Sequence, residues 1–158
     1  PVYTLPFNSA YKYMINIYEE GKGYTLYIKG APEVTSKMCG KFFEDFNREP
    51  KWEQQQKDDF KKMQEKYADQ AIRTLLFGYK KLSQKDINNA KSAHPEEDLD
   101  FFNQLAQGFT FAFMAGIRDQ YRPDVPASIR KCKDAGITVR MVTGDNIATG
   151  KFNRIYLF

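Results

Sequence analysis

Long apolar runs are missing from this chain of 158 residues. A helix that crosses a bilayer needs roughly 20 consecutive apolar residues. The best candidate here, Phe109–Ile117, is strand-sized and interrupted by Thr110 and Gly116, so direct membrane insertion of this segment is not expected. Cysteine is scarce as well. Cys39 and Cys132 are far apart and fit neither a zinc nor a redox spacing, which predicts packed free thiols in a reducing compartment rather than a disulfide framework. Internal repeats and low-complexity tracts are absent. No basic and apolar leader opens the chain, which starts Pro-Val-Tyr-Thr without an initiating Met; the expectation is an excised segment of something longer.

What is present is enough for a core. With 42% hydrophobic and 15% aromatic residues, a globular domain, or one and part of a second, is expected rather than a disordered tail. The net charge of +4 suits an anionic partner. Nucleic acid is not the expected one, because Lys57, Lys61, Lys62 and Lys66 alternate with Asp58, Asp59 and Glu65 in the manner of a solvated helix face.

Residues 11–18 and 24–28 alternate aromatic and β-branched residues with others around Glu19-Glu20-Gly21-Lys22-Gly23, which predicts an antiparallel hairpin. Pro32 then stands where a first helical turn tolerates it, and Val34, Met38 and Phe42 follow at four-residue spacing, predicting a helix. Phe60, Met63, Tyr67 and Ala71 predict a second helix within residues 52–71, and residues 74–79 the next strand. Residues 83–100 are polar, with Asn88-Asn89 and His94-Pro95 as breaks; a surface insertion or hinge is expected there. Beyond it, residues 109–115 predict a strand, 125–135 a helix with Pro126 near its start and Gly136 after its end, and 137–142 another strand. That order is a β-α-β unit, whose right-handed crossover places both strand ends on one edge.

Those ends carry the chemistry. Ile117-Arg118-Asp119-Gln120-Tyr121-Arg122 and Thr143-Gly144-Asp145-Asn146 would meet in the crevice where open α/β sheets bind ligands. A hydroxyl, a glycine and two carboxylates suit a phosphate with Mg²⁺. Asp and Gly are equally the ordinary residues of a strand-ending turn, and spacing alone leaves both readings open.

Residues 116–150, GIRDQYRPDVPASIRKCKDAGITVRMVTGDNIATG, resemble the stretch of type II P-type ATPases that carries the D-P-x-R-P-x-V and M-V-T-G-D-N motifs, and within that family the plasma-membrane calcium pumps. Three further pieces occur in the order of that family. Phe7-Asn8-Ser9-Ala10-Tyr11-Lys12-Tyr13-Met14 is similar to F-x-S-x-x-K-x-M, Lys29-Gly30-Ala31-Pro32-Glu33 to K-G-A-P-E, and Arg73-Thr74-Leu75 to R-T-L. Gln120 stands where the family has Pro, and Tyr121 departs from its small residue or Pro.

The resemblance implies an α+β nucleotide-binding domain over residues 1–108, an antiparallel sheet with flanking helices that lacks its opening strands. It implies an incomplete α/β, Rossmann-like segment of the phosphorylation domain over 109–150, and leaves 151–158 as an atypical tail. It further implies that Phe7 stacks on adenine, that Lys12, Lys29 and Gly30 line the ATP pocket, and that Arg73 reaches the phosphates. Asp119 and Arg122 would lie near the bound phosphates, and Thr143, Gly144 and Asp145 would contact the transferring phosphoryl group. An aromatic face with three cations suits a flat base with a polyanionic tail. Singly, Phe7 would be read as a core aromatic, Lys12 and Lys29 as solvated strand lysines, and Arg73 as a surface ion-pair member.

In that family an aspartate in D-K-T-G carries the phosphoryl group. Neither D-K-T-G nor G-D-G-x-N-D occurs in this sequence, so no catalytic residue is expected in it, and no metal ligand of its own. The implied parent is an ATP- and Mg²⁺-dependent pump for a cation, calcium by resemblance, in the plasma membrane or an internal calcium-store membrane. This part would be cytoplasmic, with ATP and the remaining pump domains as its partners. A catalytically silent nucleotide-binding or interaction module derived from a pump gene is the alternative.

Overall fold

The computed structural model describes residues 1–45, 47–70, 72–118 and 122–142. Among them lie a six-stranded sheet and five α-helices. The strands are β1 (Tyr3–Leu5), β2 (Tyr13–Glu20), β3 (Gly23–Gly30), β4 (Cys39–Phe42), β5 (Arg73–Leu82) and β6 (Phe109–Ile117). They stand in the order β1-β2-β3-β5-β6-β4. The β1–β2, β2–β3 and β3–β5 pairs are antiparallel, whereas β4 runs parallel to β6. The helices are α1 (Pro32–Thr35), α2 (Gln54–Ala68), α3 (Gln84–Ala93), α4 (Leu99–Ala106) and α5 (Val125–Asp134). None is long and apolar enough to cross a membrane among the described residues.

The chain divides into two compact units, Pro1–Lys57 with Leu75–Ala115, and Asp58–Thr74 with Gly116–Phe158. In the first, the expected hairpin forms between β2 and β3, with Glu20 opposite Gly23. Gly21, at φ +63, occupies the first loop position, where a II′ turn needs a residue that tolerates positive φ. The period of two along these strands sends Tyr13, Ile15 and Ile17 of β2, with Leu26 and Ile28 of β3 and Leu76 of β5, into the core, all at most 4% exposed. Phe101, Phe102 and Leu105 of α4 and Ile87 and Ala90 of α3 are buried with them. Two polar links pin α4 to the sheet. The Tyr13 hydroxyl donates to Asn103 Oδ1, and Lys80 Nζ donates to the carbonyls of Leu105 at 2.9 Å and Gln107 at 2.5 Å. A cation at a helix C-terminus satisfies carbonyls that have no partner within the helix. Burial pushes the Lys80 pKa down.

Residues 83–100, expected as a surface insertion or hinge, hold α3 and the start of α4. Ser83 and Asp86 form a reciprocal capping box that starts α3, and Asp98 caps α4 through the amides of Asp100 and Phe101. Burial of Ile87 and Ala90, three apart on one helix face, outweighs the low helix propensity of Asn88 and Asn89. The expected helix through Phe42 is also corrected. It stops after α1 and one 3₁₀ turn, Ser36–Met38, and Cys39 adopts extended backbone. The chain there is claimed by the ladder with β6, which places Phe42 opposite Phe111.

In the second unit, α5 starts with Pro126 in its first turn as the sequence predicts. Phe60 is buried on α2, but Trp52 precedes that helix and belongs to the first unit, its ring 5.3 Å from that of Phe111. Ala71, placed in the second helix by its spacing, lies outside the described residues. The strand expected over residues 137–142 is not formed. These residues are neither helix nor strand, and Ile137 and Val142 are 57% and 95% exposed. A strand is held by a neighbour's ladder, and none pairs with them among the described residues.

Candidate functional site

Side chains of alternate residues on β2, β3 and β5 that do not enter the core form two rows across the sheet. In one, Met14 is opposite Lys29 and Lys29 opposite Phe77; in the other, Asn16 is opposite Tyr27 and Tyr27 opposite Tyr79. All six line one cavity of about 330 Å³ in the first unit, closed on another side by Phe113 of β6. The Phe77 and Phe113 rings are stacked, 4.7 Å apart. This is an apolar, aromatic slot of the size that takes a small ligand, with a lysine in its wall.

Lys29 has no acidic partner among the described residues. Lys12 does: its ammonium is 3.3 Å from Glu33 Oε1. Lys12 also adopts φ 60, rare for a residue with a Cβ, and its carbonyl accepts from the Ala31 amide at 2.9 Å. Gly30 shows why no side chain fits at this junction. A Cβ there would lie 2.4 Å from Tyr13 Cβ and 2.8 Å from the Lys12 carbonyl oxygen. Ala31 then accepts from the amides of Val34 and Thr35, starting α1. The segments containing Lys12 and Lys29-Gly30 are thus tied together by main-chain contacts.

The other expected site residues fall differently. Phe7, in the loop between β1 and β2, is 63% exposed, so it is no core aromatic; it does not line the cavity. Arg73 opens β5 and is exposed, and it belongs to the second unit. Arg122 is exposed too, its carbonyl accepting from the Val125 amide at the start of α5. Asp119, Thr143, Gly144 and Asp145 lie outside the described residues.

Sequence reasoning missed Asn16, Tyr27, Phe77, Tyr79 and Phe113. The signal was available in part: two residues from Met14 and from Lys29, on the same face, lie Asn16 and Tyr27. Both tyrosines are held by carboxylates. Tyr27 donates to Glu20 Oε1 at 3.1 Å, and Tyr79 donates to Glu49 Oε1. Burial, then the Glu49 hydrogen bond, pushes the Tyr79 pKa up to about 12. Hydrogen bonds from Thr25 and Lys81 hold the Glu20 carboxyl below its usual range. One group of potential metal ligands occurs among the described residues, His94, Asp98 and Asp100; it shares no residue with the cavity, and Asp98 is occupied as the cap of α4.

The sequence profile of the P-type ATPase cytoplasmic domain N matches residues 1–124. The chain belongs to that family. This P-type ATPase N domain is 36% identical over 152 residues to the plasma membrane calcium-transporting ATPase 1 of Homo sapiens, covering 95% of the chain and 12% of that protein. It is 38% identical over 152 residues to plasma membrane calcium-transporting ATPase 3 of Rattus norvegicus, covering 95% and 11%. With calcium-transporting ATPase 10, plasma membrane-type, of Oryza sativa subsp. japonica the identity is 35% over 148 residues, covering 92% and 13%. The chain therefore spans about an eighth of the length of these relatives.

Proposed function

We propose that this chain is the ATP-binding cytoplasmic portion of a pump that couples ATP hydrolysis to movement of a cation, calcium on the strength of its relatives' names, across a membrane. The observation that carries the reading is Lys29 in the wall of an aromatic cavity, with no acidic partner among the described residues. The base enters the slot between aromatic side chains, Lys29 and Lys12 neutralise phosphate charge, and the exposed Phe7 ring closes over the base. Gly30 keeps the backbone close. The nucleotide-binding domain of residues 1–108 also takes in β6, whose Phe113 walls the slot; the rest of 109–150 serves as the start of a Rossmann-like phosphorylation domain, with 151–158 a tail of separate character. In the assembled pump Arg73, Asp119 and Arg122 act on the phosphates, and Thr143, Gly144 and Asp145 on the transferring phosphoryl group with its Mg²⁺. ATP and the remaining pump domains are the partners. Because D-K-T-G is not in this sequence, the chain alone binds nucleotide without forming an aspartyl-phosphate.

Isothermal titration with ATP tests this. Lys29→Ala is expected to weaken binding about tenfold, the loss of one charge-assisted contact, and Phe7→Ala to weaken it without lowering the melting temperature. If neither substitution changes an affinity measurable at millimolar ATP, or none is measurable in the wild type, the reading fails.

A further inference from the structure

The cavity has a polar feature that binding of a generic aromatic ligand would not require. Tyr79 lines it, and its hydroxyl proton is committed to Glu49 Oε1. Glu49 is itself fixed: its other oxygen accepts from the Thr110 hydroxyl at 3.3 Å and lies 3.6 Å from the Lys41 ammonium. A carboxylate can only accept. The Tyr79 oxygen, its one proton spent on Glu49, therefore offers lone pairs and no donor to anything that approaches it. Tyr27, directly opposite Tyr79 in the ladder, is held the same way by Glu20. The second row of the slot thus presents two tyrosines whose protons point to carboxylates.

We infer that Tyr79, held by Glu49, is a specificity-determining residue that selects a ligand edge carrying a hydrogen-bond donor, such as the amino group of adenine, over one carrying a carbonyl, as in hypoxanthine or guanine. This rests on the nucleotide reading above and adds base choice to it. A carbonyl placed against the Tyr79 oxygen puts two acceptors together, leaving both unsatisfied in a largely apolar slot. Glu49 is a positioning residue here: it acts through Tyr79.

The test is titration of the full chain with ATP and with inosine triphosphate, in which a carbonyl replaces the 6-amino group and N1 carries a proton. Wild type is expected to prefer ATP by about tenfold, the scale of one net hydrogen bond plus one avoided mismatch. Tyr79→Phe removes the acceptor and is expected to bring the two affinities within about twofold, chiefly by losing ATP affinity. Glu49→Ala removes the acceptor, frees the Tyr79 proton for the ligand, and moves the ratio toward inosine triphosphate. Lys29→Ala weakens both nucleotides by one factor and keeps the ratio. A retained amide NMR spectrum shows that Tyr79→Phe is folded; if Tyr79→Phe itself unfolds, the Glu49→Ala ratio decides alone. An unchanged ratio in a folded variant overturns this inference and leaves nucleotide binding intact. Absence of any binding by wild type overturns both.

Discussion

The rings of Phe77 and Phe113 lie 4.7 Å apart at an interplanar angle of 12°, although Phe113 is 55% exposed. A stacked pair on an open surface contributes little to folding but fixes the wall of the cavity. Phe113→Ala is expected to cost about 1 kcal/mol in urea unfolding and to weaken ATP binding about fivefold, whereas Phe109→Ala, fully buried, costs about 3–5 kcal/mol. Equal costs for the two would contradict this division of roles.

Gly30→Ala probes the junction between the two lysine-bearing segments. Its new methyl meets Tyr13 Cβ, the Lys12 carbonyl and Thr35 Cγ2 at 2.4, 2.8 and 2.8 Å. Tyr13 Cβ belongs to a ladder residue and the Lys12 oxygen is backbone, so neither yields cheaply. A loss of about 1–3 kcal/mol is expected, read as a lower urea midpoint at unchanged slope. A neutral result would mean that the β2 and β3 ends are not packed this closely.

Ser83→Ala tests the helical pair that the sequence presented as an insertion. Loss of the cap is expected to cost about 1 kcal/mol. The acid response carries an independent signature. The Ser83 hydroxyl and amide hold Asp86 below its ordinary value of 3.8. A carboxyl with a depressed folded pKa contributes stability that is fully present above the unfolded value and is lost as pH falls through the folded one. Wild type should therefore lose stability below about pH 4 more steeply than Ser83→Ala, which lacks half of the box. Thermal melts from neutral pH into that range would show it; parallel curves would count against the cap.

The β2–β3 hairpin, β5, β6 and α5 were legible because each follows from a local cause: a period of two, Gly21 at a turn, Pro126 at a first helical turn. Phe42 was misread, and the helices within residues 83–100 were not anticipated, for the opposite reason. A four-residue spacing in residues 34–42 is compatible with a helix, but Phe42 is taken by the ladder with β6, more than 60 residues away in sequence. The Asn-rich stretch is polar on average, and the burial of Ile87 and Ala90 beneath it, added to the Ser83–Asp86 cap, supports the helix.

The sequence by itself determined the family, through four motifs in order, and marked Lys12, Lys29 and Gly30 as one neighbourhood, because motif identity resides in short runs of residues. Only the tertiary structure decided what surrounds Lys29. Met14 and Phe77 reach it through strand register, Tyr79 and Phe113 share its cavity from β5 and β6, and Glu49 reaches Tyr79 from a loop before α2. None of these separations is readable along the chain, since register is set by which faces of several strands are buried at once.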